Sequence, residues 1–459
     1  MRHRSRVEKF APASGADAGL SGQPSRRSSS VTYLSTAGRY TRPRRLDPVT
    51  PTGQLSPYRW VVLGVGSLAT AALAAVQGGL PAVAPAIQET FDLSLVQVTA
   101  VFTAFALGTV VTLLAWGVLS DRAGERVVIG GGLAAGSLAM FAAAGAGGYT
   151  ALLAWMVLAG MLGSSAVAAS GRAVFGWFPR NERGLALGLR QTAVPAGAAL
   201  ASFALPPLAS AAGVDAALYA LAGVMLVAAV AASIWLRDGP RIESAAPPAP
   251  DAARDPRIWR LSAASSLMII GQVGITSLLV LYLYSERGWT AAHAALALGG
   301  VQLGAALARV SAGRWSDLLG ERIEPFRRLA ALAGVLLLAG AVLGPPALMA
   351  GGVAAMSWNG LSFTAAAEIS GRRQAGKAMG IQNTAMRLVA AGVPVSLGAL
   401  ASAVSWPLVF VVMGIAPLIA RALLAPLVDD ERRRRREREA RLESRRHAGG
   451  TTSVDPVGP

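Results

Sequence analysis

Residues Gly117–Arg126 read GVLSDRAGER, and Gly313–Arg322, 196 positions later, read GRWSDLLGER. Gly, Ser-Asp and Gly-Glu-Arg recur at the same places in both. A second pair follows: RGLALGLRQTAVP from Arg183 and AGKAMGIQNTAMR from Ala375. There Gly184 aligns with Gly376, Gly188 with Gly380, Gln191 with Asn383 and Thr192 with Thr384, at an offset of 192. Two independent motif pairs at nearly one spacing mark a duplicated unit.

Hydropathy says what the unit is made of. The chain has 459 residues, 53% hydrophobic and 15% charged, with a mean hydropathy of +0.48. Soluble domains carry about 25% charge. The apolar residues cluster in runs of about twenty, the length that crosses a hydrocarbon core of about 30 Å as a helix. Six runs precede a gap, near 60–83, 97–119, 127–146, 150–171, 184–209 and 214–236. Six follow it, near 259–284, 293–313, 327–344, 346–369, 376–402 and 405–427. The expected fold is an all-α membrane protein of twelve transmembrane helices in two pseudo-symmetric six-helix bundles. The bundles are expected over 58–238 and 258–428, with a Pro/Ala-rich charged linker at 239–257. Residues 1–57 and the Arg-rich 429–459 are expected to be disordered tails.

The net charge of +17 is concentrated rather than spread. Cations fill both tails, the linker and the even-numbered loops, with Arg122, Arg126, Arg180, Arg183, Arg314, Arg322, Arg372 and Arg373 among them. The alternate loops carry Arg287 alone. The positive-inside rule then puts both termini in the cytoplasm, and the expected location is the inner (plasma) membrane. Basic tails beside a membrane suit anionic lipid. They lack the aromatic interleaving and folded module of a nucleic-acid binder. No cysteine exists, which excludes disulfides, thiolate metal sites and cysteine catalysis.

The chain resembles the major facilitator superfamily over essentially all of 58–428. The family's signature is a Gly-x-x-x-Asp-Arg-x-Gly-Arg-Arg/Lys loop after span two, often echoed after span eight. Gly117, Asp121, Arg122, Gly124 and Arg126 match it, with Glu125 where a base is usual. In the echo Gly313, Asp317, Gly320 and Arg322 match, and Leu318 replaces the base. The resemblance implies a gating loop in which Asp121 meets the start of span eleven and Asp317 the start of span five. A carboxylate at a helix N-terminus is stabilised by its free N–H groups. Gly117, Gly313 and the Gly184/Gly188 and Gly376/Gly380 faces would allow close helix approach. The stretch WFPRNERGLALGLRQTAVPAG, Trp177–Gly197, looks like the cyanate/nitrate-type anion porter branch and some neighbouring drug and organic-acid porters.

Ionisable groups deep in a bilayer default to function. Arg387 lies ten residues past Lys377, about 15 Å along a helix, too deep to snorkel easily. Asn383 and Thr384 share its face, and Gln191 and Thr192 mark the equivalent face in the other half. With Gln77, Gln272, Thr276 and Asn359 they outline a polar central cavity for a small solute. The competing reading makes Arg387 structural, paired to carbonyls or to the other bundle. Arg190 suits snorkelling to the cytoplasm as well as it suits solute contact, Arg309 is expected to snorkel, and Arg172 and Glu368 to form inter-bundle ion pairs. No carboxylate lies deep in the spans, so a proton relay of the usual kind has no visible carrier.

GRRQAGKA from Gly371 lacks the magnesium-binding hydroxyl of a phosphate loop, and GVGSLA from Gly64 lies inside a span. With three histidines, two of them in tails, no metal or catalytic constellation forms. The expectation is a secondary transporter without cofactor, monomeric, moving a small solute of anionic character by alternating access. Drug efflux is the alternative, and a transport-inactive sensor or scaffold the alternative of another class. An enzyme is not expected.

Overall fold

A computed structural model describes residues 56–179, 182–238 and 251–449. Among them every regular element is a helix. Span one is Tyr58–Ala82, and the short helix Ala84–Thr90 leads on to span two, Leu95–Val111 and Leu113–Ala123. Span three is Glu125–Ala144, and span four is Tyr149–Gly163 followed by Ser165–Trp177. Helix Arg183–Trp235 leaves helical geometry at Gly213 (φ 88°, ψ 165°), which divides it into spans five and six. Span seven is Pro256–Ser285, span eight Ala291–Leu319 and span nine Ile323–Leu343. Span ten joins Pro345–Met356 to the start of helix Asn359–Ala403, which breaks at Gly371 (φ 73°) before span eleven. Span twelve is Trp406–Gly449.

Nine of these helices are long and apolar enough to cross a membrane unaided, one of them the double helix that Gly213 divides. Spans two and ten, each interrupted by one or two residues, complete the twelve. Large apolar side chains such as Leu114 (73% exposed), Leu200 (70%) and Val342 (85%) face outward, which only a lipid solvent accommodates in such number.

Local signals start several helices. Ser94 and Gln97 form a reciprocal capping box at span two, Thr290 accepts from the His293 N–H at span eight, and Asp255 from Arg257 at span seven. Each cap contributes about 1 kcal/mol. Inside the bundles, small residues bring backbones together. A Cβ on Gly108 would strike the Val157 carbonyl, and one on Gly160 the Phe105 carbonyl, so spans two and four touch main chain to main chain. Gly334 and Gly414 do the same for spans nine and twelve. By contrast, among the described residues nothing stands within reach of a Cβ at Gly117, Gly188, Gly313, Gly376 or Gly380. The expected tight approach at these motif glycines is therefore absent from this conformation.

The repeat extends to features the motifs did not announce. At the turn before span three, Asp238 from the end of span six accepts the Arg126 N–H (3.0 Å). At the turn before span nine, Glu431 from span twelve accepts the Arg322 and Ile323 N–H groups (2.7 and 3.0 Å). The two carboxylates stand 193 positions apart. Each turn passes through a glycine in left-handed geometry, Gly124 (φ 91°) or Gly320 (φ 64°), where a side chain would be strained. Asp238→Asn and Glu431→Gln are each expected to destabilise by about 1 kcal/mol, seen as a lower thermal midpoint of the purified protein.

Residues 429–449, expected to be disordered, continue span twelve as a helix. Asp430 supports it through Arg433 (2.8 Å) and Arg434 (2.7 Å) at i+3 and i+4 and reaches Arg257 (3.1 Å). Arg432 bonds Glu321, and Arg435 donates to the Leu319 carbonyl. Tertiary contacts thus hold residues 430–435, the start of a stretch whose composition alone reads as solvated. The expected tail over 1–55, the linker core 239–250 and the final residues 450–459 lie outside the described residues.

Candidate functional site

Three arginines occupy the interior between the halves, one each on spans five, eight and eleven. Arg190 is 8% exposed. Its Nε donates to Ser170 Oγ on span four (3.1 Å), which in turn lies 3.4 Å from Thr70 Oγ1 on span one. The other half repeats this arrangement with a neutral end. Gln382 on span eleven donates to Ser265 on span seven (2.9 Å) and to Ser362 on span ten. The two serines lie 2.7 Å apart. Ser170 to Ser362 and Arg190 to Gln382 both obey the 192 offset already seen for Gln191 and Asn383. That alignment was the available signal. Arg190 does not snorkel, because its serine partner holds it inside.

Arg309 is likewise interior. Its Nε donates to the Met356 carbonyl (2.7 Å) and its Nη1 to the Gln191 carbonyl (3.3 Å). The Met356 carbonyl lies where span ten is interrupted, between the helix ending at Met356 and the one starting at Asn359. Arg309 thus ties span eight to span ten and to span five of the other bundle.

Arg387 is half-buried, and its Nε is sealed from solvent with no partner among the described residues. It lies within electrostatic reach of Arg190. Among the described residues none of the three arginines pairs with a carboxylate. Gln77, Gln191, Asn383, Thr384, Gln272 and Asn359 are all half-buried. Among the described residues, Gln272 Oε1 and Asn359 Oδ1 are sealed and have no hydrogen-bond partner. Thr192 is spent on the Leu189 carbonyl, and Thr276 on the Gln272 carbonyl. Gln302, which sequence reading passed over, reaches Thr276 from span eight (3.4 Å). No group of three or more potential metal ligands occurs among the described residues.

The residues expected to form a gating loop lie in two charge clusters at the face where spans two, four, eight and ten end. Arg172 pairs with Asp121, approaches Glu125 (3.6 Å) and reaches the Gly117 carbonyl (3.4 Å). Arg322 pairs with Asp317 (2.6 Å) and Glu368 (3.3 Å). The pattern repeats with its charges exchanged: the cation is on span four in one half and in the loop in the other. Arg172 and Glu368, expected between bundles, are engaged within their own. Beside them, a Lys377 hydrogen bond (2.6 Å) holds the Asp251 carboxyl below its ordinary range. This tether of linker to span eleven therefore persists above the usual carboxylate pKa and is lost as pH falls through the lowered one.

The bundles meet at the opposite end. Tyr284 donates to Glu89 (2.5 Å), and the Val395 N–H to Thr103 (3.2 Å). Gly398 lies against Thr99, and Gly299 against the Phe203 ring.

The sequence model of the Major Facilitator Superfamily matches residues 66–365, well over half of the chain. The chain belongs to the major facilitator superfamily. An uncharacterized MFS-type transporter of Mycobacterium tuberculosis, Rv2994, is 34% identical over 377 residues, covering 80% of this chain and 84% of the relative. Among solved structures, a bacterial homologue of the human lysosomal transporter Spinster, inward-facing and occupied, aligns with a TM-score of 0.69. At 17% identity it covers 82% of this chain and 98% of its own. The unoccupied inward-facing form gives 0.65. These structures share the superfamily fold, and the chain is a multi-pass membrane transporter of that family.

Proposed function

We propose that this transporter moves a small anion by alternating access, with Arg387, Arg190 and the Gln191/Asn383 pair reading the solute. The observation that carries the reading is a group of three interior arginines without a carboxylate counter-ion among the described residues. Buried cations are ordinarily paired, because leaving one alone in a low-dielectric interior costs several kcal/mol. A solute anion supplies the missing charge. The lack of a deep carboxylate also argues for transport without a protein-borne proton relay, any proton travelling on the solute. The basic loops and the clusters at Asp121 and Asp317 suit a cytoplasmic face in an inner membrane, where the loops would alternate between intra-bundle pairs and contacts with the opposite bundle.

Thermal unfolding of the detergent-purified protein against small anions tests the reading. A ligand of the folded state raises its apparent stability. The expected result is a rise with one class of anion that Arg387→Gln reduces by about tenfold in effective affinity. Stabilisation only by neutral lipophilic compounds, equal in the variant, would instead establish drug efflux and a structural Arg387.

A further inference from the structure

The three arginines are not equivalent. Arg309 is engaged through two of its nitrogens by the Met356 and Gln191 carbonyls, which makes it a tether. Arg190 is held by Ser170 through Nε alone, so its two terminal nitrogens are uncommitted among the described residues. Ser170 and Thr70 fix the direction in which that fork is presented. Arg387 is uncommitted at its sealed Nε. The two open guanidinium groups stand on opposite bundles, one on span five and one on span eleven, close enough to repel. The duplicated position confirms that charge here is not a packing requirement. Gln382 fills the place of Arg190 in the second half and satisfies its own pair of serines without any charge.

Resting on the anion reading above, we propose that the solute is doubly charged, one negative group meeting Arg190 of the first bundle and the other meeting Arg387 of the second. A monoanion neutralises one guanidinium and leaves its neighbour buried and repelled, whereas a dianion satisfies both. Dicarboxylates and phosphate monoesters have this chemistry. The fork of an arginine matches either group bidentately. The uncharged acceptors Gln272 and Asn359 would bond hydroxyl or amide donors on the remainder of the solute, which sets the class apart from a bare inorganic anion.

The test compares matched charges on the full-length purified protein. Succinate and butyrate share chain length and differ in one carboxylate; glycerol phosphate and lysophosphatidic acid separate a soluble monoester from a lipid headgroup. The expected result is that a dianion shifts the thermal midpoint at about tenfold lower concentration than butyrate. Arg190→Gln and Arg387→Gln should each bring succinate and butyrate to near parity, while Arg190→Lys keeps the preference. A response to lysophosphatidic acid without one to glycerol phosphate would assign the dianion to a lipid. Equal response to succinate and butyrate in the unmodified protein overturns the charge count and leaves the anion reading standing. No response to any anion overturns both. The wild-type comparison decides even if a variant fails to fold.

Discussion

Gly398→Leu should cost about a hundredfold in solute flux while the protein still folds, because a wedge at one inter-bundle contact biases a two-state equilibrium rather than either bundle. Gly398 on span eleven lies against Thr99 on span two, and three residues earlier the Val395 N–H bonds Thr103. Pro394 immediately precedes Val395 and weakens the helix's own hydrogen bonding there. A leucine side chain cannot be placed without separating the spans, so the end now closed is held open. The chain contains no cysteine, so a single cysteine placed at Asn383 can be labelled against no background. Labelling from the side opposite the termini should rise in Gly398→Leu. Unchanged flux and labelling would remove the Thr99–Gly398 contact from any role in closure.

Gly108→Leu should have the larger effect on stability. Gly108 lies against the Val157 carbonyl and Gly160 against the Phe105 carbonyl across spans two and four, and a Cβ at 108 would also lie 2.8 Å from the Met161 nitrogen. Nothing there is the movable end of a side chain; main chain must shift. Overpacking of this kind costs about 3 kcal/mol or more, a large share of a folded protein's margin. The expected outcome is loss of a monodisperse protein in detergent. Gly131→Leu is the control, since Gly131 is exposed with open space around it. It should stay within about 0.5 kcal/mol. Equal loss in both variants would mean that glycine acts through the unfolded chain rather than through the contact.

The fold was legible because lipid leaves few options. A backbone without water must satisfy itself, so apolar runs of span length become helices whatever their neighbours do. The 192 and 196 offsets then gave the duplication, and the family loops gave its kind. The depth of Arg387 was legible too, since its distance from Lys377 makes snorkelling difficult. Arg190 and Arg309 could not be placed from depth alone. Each is within reach of a membrane face in sequence, and only Ser170 in one case and the Met356 carbonyl in the other hold them inside. The pairing of Arg172 with Asp121 instead of with the second bundle is set by how the helices pack at that end, which no single residue encodes.

The sequence by itself thus determined the twelve spans, their division into two related halves and the membership in a transporter superfamily. These follow from local hydropathy and from repetition, both properties of the chain read in order. The tertiary structure alone decided which arginines lack a counter-charge among the described residues, that Asp238 and Glu431 cap corresponding helices, and that residues 429–449 are helical. Those depend on atoms far apart in the chain meeting within about 3 Å, and hydrogen bonds of that range are set by packing rather than by pattern.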